Sequence, residues 1–172
     1  MGLNLSLIPS DSNVFVDSNI FLYVFLKHPA WGKSCHEFIR KIESTDIIGH
    51  TDEFVLNEVF HKLMITAIIN QAHCLPQEAA LIAKNSPGIV KDLTPLWEAT
   101  ELLKILDLRI ITGPFYPESY GISHDFGLLA TDSVHVAAMR KEKITRIATN
   151  DADFARIPLL EIWRPGFSNP ED

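Results

Sequence analysis

Val14-Phe15-Val16 is a run of strand-type residues that stops at an acid, Asp17. Ser18 and Asn19 follow, and Ile20-Phe21-Leu22-Tyr23 then opens an apolar pattern at helical spacing. The run predicts a buried parallel strand that passes directly into a helix beginning at Ser18. In open α/β sheets, ligands bind at the carboxyl ends of the strands, so Asp17 is a candidate site residue. The same position also suits a helix N-cap, where Asp and Asn are favoured.

The rest of the chain repeats the alternation. Helical patterns cover about 18–27, 31–44, 51–71, 77–84, 95–107, 117–123 and 131–141. Strand patterns cover about 46–50, 109–112, 144–149 and 159–163. Thr51 reads as the cap of the long third helix, with Asp52 and Glu53 in its first turn. Alternating strands and helices predict a three-layer α/β/α sandwich around a mostly parallel sheet of about five strands. Right-handed crossovers then bring the strand ends to one edge. The 172 residues suffice for a single domain, expected to have its core at about 13–164 and tails at 1–12 and 168–172.

Composition narrows the partners. The net charge is −7, which argues against broad, non-specific nucleic-acid binding, since that needs a basic face. It leaves room for a nucleic-acid enzyme, because an acid cluster that holds cations is neutralised locally. Cys35 and Cys74 lie in helical patterns without metal-ligand spacing, so a disulfide framework is not expected and a reduced, cytoplasmic location is. The N-terminus lacks the basic-then-apolar order of a secretory leader. The most apolar long run, Phe54 to Ile69, contains Asn57, Glu58, His61 and Lys62, so no membrane span is expected.

Four acids stand where chemistry is plausible. Asp17 ends the first strand, Asp151 follows the strand Ile147-Ala148-Thr149, Asp132 opens a helix, and Glu58 lies between Leu56 and Val59-Phe60 in an apolar helix. Each has an ordinary alternative: a cap for Asp17, a dipole contact for Asp132, an Asx-turn for Asp151, and solvent or a Lys62 pair for Glu58. Together they suggest more. Unpaired buried carboxylates are costly, and a divalent ion with a taste for hard oxygen ligands, Mg²⁺ or Mn²⁺, would remove that cost.

Four segments in order, Val16-Asp17-Ser18-Asn19, Leu56-Asn57-Glu58-Val59, Ala130-Thr131-Asp132-Ser133-Val134-His135 and Ala148-Thr149-Asn150-Asp151-Ala152-Asp153-Phe154, resemble the PIN-domain family of metal-dependent nucleases, which includes VapC-like toxins of toxin–antitoxin pairs. The resemblance runs from about Asn13 to Arg164. It implies a metal-dependent endoribonuclease, with Asp17, Glu58, Asp132 and Asp151 as the catalytic, metal-binding quartet. Ser18, Asn19, Thr149 and Asn150 would be supporting polar groups. RNA would be the substrate, and an antitoxin protein a candidate partner. The segment from Gln71 to Asp107 is longer than a compact member needs, and Ser133 stands where alanine is frequent. Asp153, two residues beyond Asp151, is an auxiliary metal candidate.

Other expectations come from the residues themselves. Lys62 and Arg156 are candidate phosphate contacts. The basic run Arg140 to Arg146 lies roughly 12–15 Å from Asp132 along the helix and is assigned to the helix C-terminus. Phe21, Leu22, Phe25, Trp31 and Phe38, with the family's habit, predict a homodimer. The rival readings are a carboxylate-bridged di-metal oxidoreductase, imitated by Glu58-x-x-His61 and Asp132-x-x-His135, and a catalytically degenerate binding module of the same fold. Strand signals at Val14, Ile110, Ile147 and Leu159 count against a helical bundle.

Overall fold

A computed structural model describes residues 2–167. The strands are β1 (Leu3–Asn4), β2 (Asn13–Val16), β3 (Ile48–Asp52), β4 (Arg109–Ile111), β5 (Arg146–Ala148) and β6 (Glu161–Arg164). The helices are α1 (Ser18–Phe25), α2 (Gly32–Glu43), α3 (Glu53–Ala72), α4 (Pro76–Asn85), α5 (Gly88–Lys91), α6 (Thr94–Ile105), α7 (Glu118–Phe126) and α8 (Ala130–Lys141). Short 3₁₀ turns occupy Leu5–Leu7 and Asp153–Arg156.

All six strands are parallel, in the order β1-β6-β5-β2-β3-β4. β2 is central because its last three residues, Val14, Phe15 and Val16, are apolar and all buried, so both faces must be covered. Side chains alternate across a strand, and Phe15 meets His135 of α8 at a ring separation of 5.6 Å. From β2 the chain steps outward through β3 to β4, then crosses back to β5 and continues to β6. With right-handed crossovers, α1 to α6 cover one face of the sheet and α7 and α8 the other.

The expected α/β sandwich is the observed architecture, with differences at its margins. The sheet has six strands rather than about five. The additional one is β1, which pairs Leu3 with Trp163 and Asn4 with Arg164. Leu5 and Ile8 are buried beside it, so this segment, expected as a tail, adds an edge strand and two core residues. The expected tail at 168–172 lies outside the described residues. β3 extends to Asp52, two residues beyond its expected end. Asp52, and not Thr51, caps α3: its carboxylate accepts from the Val55 amide at 2.8 Å, while the Thr51 hydroxyl donates to the Val16 carbonyl of the neighbouring strand. Among the described residues no helix is long and apolar enough to cross a membrane.

The reversal of direction between β2 and β5 makes the gap at their carboxyl ends the topological switch point, where ligands of open α/β sheets bind. Asp17 leaves β2 there, and Thr149, Asn150 and Asp151 leave β5 beside it.

Candidate functional site

Asp17 is 5% exposed and performs two tasks. One oxygen accepts from the Ser18 amide at 2.6 Å and caps α1. The other accepts from the Thr149 hydroxyl at 2.6 Å and from the Asn19 side-chain amide. Asn19 is bonded in turn to Thr149 at 3.0 Å, and its own side-chain oxygen accepts from the Asn150 amide at 3.1 Å. These polar groups therefore lace the end of β2 to the end of β5. Tyr23, one turn beyond Asn19 on the same face of α1, accepts from Asn150 through its hydroxyl. In the sequence, the signal for Tyr23 is its i, i+4 spacing from Asn19.

A cleft of about 290 Å³ opens over this lacework. Asp17, Glu58, Asp132 and Asp151 all line it, together with Ser18, Asn19, Tyr23, Asn150 and Lys62. Glu58 reaches it from α3 and forms an ion pair with Lys62 at 2.6 Å, so the ordinary i, i+4 pairing and the place in the cleft coexist. Asp132 enters from the first turn of α8. Asp151 is fixed by its neighbours: its amide donates to Thr149, and its side chain accepts from the Asp153 amide at 2.8 Å. Arg164 of β6 donates to the carbonyls of Asn150 and Asp151 at 3.0 and 3.1 Å and clamps this loop. Nothing in the sequence around Arg164 distinguished it from a surface cation.

Two candidates stand apart from the cleft. Asp153 is turned into an ion pair with Arg156 at 2.8 Å, and neither lines the cleft. Arg156 also donates to the Gly127 carbonyl, so it is occupied as a tie between the β5–β6 connection and the end of α7.

The electrostatics are those of crowded negative charge. Burial pushes the Asp17 carboxyl above its ordinary range, against the hydrogen bond from Thr149 and the charge of His135. Asp132 is pushed up by burial first and then by the charge of Asp151, with Asp17 and Asp153 adding to it. Glu58 moves the other way, because hydrogen bonds from Lys62 and Ser18 outweigh its partial burial. Beneath the cleft lies a pair the sequence did not announce: His135 Nδ1 is 2.7 Å from Asp52, at 1% and 0% side-chain exposure. Burial would lower the His135 pKa, but the hydrogen bond and charge of Asp52 outweigh it, and Asp17 and Asp132 pull in the same direction. The result is a raised pKa.

This arrangement removes the di-metal oxidoreductase reading. His61 is exposed, His135 is held by Asp52, and a six-stranded sheet replaces the helical bundle.

Among the described residues, no three acid, histidine or cysteine side chains stand close enough to hold an ion as they are. The reason is visible in the contacts. Asp17 spends both oxygens on Ser18, Asn19 and Thr149, and Glu58 leans to Lys62. The donor set still fits a hard divalent cation: four carboxylates, with hydroxyl and amide oxygens between them and no sulfur or imidazole. Among the described residues Asp132 has no cationic partner, and the charge of Asp151 adds to the cost of ionising it, which a cation between them would relieve.

Comparison with known proteins agrees with this fold. Ribonuclease VapC2 from Methanocaldococcus jannaschii is 29% identical over 154 residues, covering 88% of this chain and 93% of that protein. The fold is similar to that of VapBC2 from Rickettsia felis bound to a promoter DNA fragment, with a TM-score of 0.59, 14% identity, and coverage of 88% of this chain and 98% of that one. It is also similar to Mycobacterium tuberculosis VapC20, a toxin that cleaves the sarcin–ricin loop, with a TM-score of 0.52 and 14% identity over 83% of this chain and 92% of that one. The family model of the PIN domain matches residues 14–160, from the strand that delivers Asp17 to the doorstep of β6. The match spans every acid that lines the cleft, and the chain belongs to the PIN domain family.

Proposed function

We propose that the protein is a Mg²⁺- or Mn²⁺-dependent endoribonuclease that hydrolyses phosphodiester bonds, acting as the toxin of a toxin–antitoxin pair in the cytoplasm. The observation that carries this is the convergence of Asp17, Glu58, Asp132 and Asp151 on one cleft at the switch point of the sheet. The names of the related proteins support it: one is a ribonuclease, and another is a toxin–antitoxin complex from Klebsiella pneumoniae. Residues 1–172 are proposed to act as one domain.

Asp17, Glu58, Asp132 and Asp151 are the residues that would hold the cation. When bound, a divalent ion lowers the pKa of water and stabilises the charge that develops on a phosphoryl group. The protein's own part is to prepare the place. Thr149, Asn19 and the Ser18 amide hold Asp17 in one orientation. The Asp151 loop is clamped by Arg164. Lys62 balances Glu58 and, as the cation among the described lining residues, would meet a phosphate in the cleft.

One surface bears on partners. Phe21, Leu22 and Phe38, on which the expected homodimer partly rested, are buried in the chain's own core. What remains is a hollow of about 880 Å³ between α1, α3 and α6, with Phe25, Leu63, Ala67 and Leu96 among its walls. A homodimer or an antitoxin segment is proposed to cover it.

The test is direct. Wild type cuts single-stranded RNA in Mn²⁺, and excess EDTA stops it. Asp132→Asn abolishes cleavage and leaves the fold intact, because it removes a charge without changing volume. Cleavage undiminished in EDTA would sink the proposal, and so would wild-type turnover by Asp132→Asn.

A further inference from the structure

A carboxylate-lined cleft in a chain of net charge −7 poses a problem for a polyanionic substrate. The cations around the cleft are already engaged. Lys62 is paired with Glu58, Arg156 with Asp153 and the Gly127 carbonyl, and Arg164 with two backbone carbonyls. Attraction to phosphates, which ordinarily supplies most of the grip on a nucleic acid, is weak here. The remaining way to hold a single strand is through its bases, which stack on aromatic side chains whatever their sequence.

Such side chains lie along the same edge of the sheet. Phe54 stands one turn before Glu58 on the same face of α3, about 5–6 Å away between Cβ atoms, and is 48% exposed. Its ring meets that of Phe115 at 6.5 Å. Phe115 belongs to the loop that leaves the carboxyl end of β4. The next residue, Tyr116, packs edge-on against Tyr120 of α7 at 5.0 Å, and each of these tyrosines is 69% exposed. Single exposed aromatics are common and need no explanation. Two such pairs, joined through the adjacent residues Phe115 and Tyr116 and beginning one turn from a carboxylate of the cleft, are a different observation.

The row also ends beside cations. The Lys141 ammonium donates to the Thr112 carbonyl in the same loop, and Arg140 lies 3.7 Å from Glu118 at the start of α7. Measured along α8, these cations are too far from Asp132 to serve the cleft itself, about 12 Å at 1.5 Å per residue. Each keeps a local partner, as the cations of the cleft do, so beyond the cleft they add positive charge only as a second grip on a departing strand.

We propose that Phe54, Tyr116 and Tyr120, continued by Lys141 and Arg140, form a stacking track for the single-stranded RNA that leaves the cleft on its Glu58 side. This rests on the ribonuclease reading of the cleft and adds the path of the substrate to it. The track grips bases first and phosphates second, and it selects unpaired RNA, because paired bases do not present their faces.

Binding is read by fluorescence anisotropy on the cleavage-deficient Asp132→Asn background, with an end-labelled oligoadenylate and an abasic ribose-phosphate oligomer as probes. Replacing both Tyr116 and Tyr120 with Ala weakens oligoadenylate binding about ten-fold or more. Tyr120→Trp preserves binding, because the ring matters and the hydroxyl does not. The abasic oligomer binds weakly to every variant. The tyrosine variants keep the parent's salt dependence, and Lys141→Gln lowers the slope of log K against log salt by about one. Far-UV circular dichroism and an unchanged Mn²⁺ melting shift in the otherwise wild-type protein show that the tyrosine substitutions have not disturbed the fold or the cleft. The proposal is overturned if the double variant binds oligoadenylate as tightly as its parent, or if the parent binds the abasic oligomer equally well. Either result leaves the ribonuclease reading standing when wild type cuts RNA in Mn²⁺. A wild type that never cuts fails that reading instead.

Discussion

Asp17 shows how one residue serves two purposes without conflict. A helix cap uses one carboxylate oxygen, and the other is left for Thr149 and the cleft. Its burial makes ionisation costly in the metal-free protein, and this gives a prediction. Asp17→Asn raises the melting temperature in EDTA, by about 2–4 °C for each kcal/mol of repulsion relieved. It also flattens the response to Mn²⁺, which in wild type is about 1.4 kcal/mol at ten times the dissociation constant. An Asn variant no more stable without metal, with the wild-type Mn²⁺ shift, leaves Asp17 as a cap alone. The pH dependence follows from His135. Its folded pKa lies above the ordinary 6.5, so its stabilising contribution is whole below that value and is lost as pH rises through the folded pKa. Asp17 and Asp132, both raised, also lose stability as pH rises. The metal-free melting temperature therefore falls as pH is raised past about 6.5, and His135→Asn removes the histidine part of that slope. A melting temperature flat across neutral pH contradicts this assignment. At this scale the four acids were legible because each sits at a strand end, a helix start or an apolar face. Asp52 was not, since one acid before a helix looks like any first-turn charge, and only the fold brings His135 beneath it.

Helices carry two of the acids, and the buried Asp52 ties both helices to the sheet. It caps α3, which holds Glu58, and grips His135 on α8, which holds Asp132. Removing one partner of a buried pair exposes the other to an uncompensated cost of about 3–5 kcal/mol, with the lost cap adding about 1 kcal/mol. Asp52→Ala is expected to lose stability on that scale in urea unfolding. A loss under about 1 kcal/mol would match an exposed cap only. Most elements were legible from periodicity: α2, α8 and the strands β2 and β5 lie close to their expected ranges. The cap was misread because Thr51 and Asp52 are equally acceptable in sequence. The choice between them was made by the sheet, in which Thr51 faces Val16 across the β2–β3 pair. β1 escaped notice because two residues carry no period. It exists only because β6 offers an edge.

For the whole molecule, charge and assembly are the measurable quantities. The proposed cover for the hollow between α1, α3 and α6 predicts a dimer mass by light scattering at tens of micromolar. Leu63, which lines the hollow and packs into the core behind it, is a poor position to test by substitution, whereas Phe25 is only partly buried. Phe25→Asp is expected to shift the mass toward the monomer while the melting temperature in EDTA changes little. A wild-type mass that is monomeric throughout removes the dimer. The class of architecture was legible because parallel strands buried on both faces leave few alternatives. The oligomer was not, because apolar residues in a helix read alike whether they face their own sheet or another copy.

The lacework between Asp17 and Thr149 joins residues 132 positions apart in the chain. During synthesis, β2, α1 and Glu58 emerge long before the strand that completes their cleft. Until residue 149 has left the ribosome, the emerging chain has one bank of its cleft and not the other, and the proposed ribonuclease site is not yet assembled. Contacts of such separation also form late and slowly in folding. The order in which the residues are made thus leaves an interval in which the apolar first half is exposed before the cleft is complete, and the proposed partner would meet the chain before the proposed activity does.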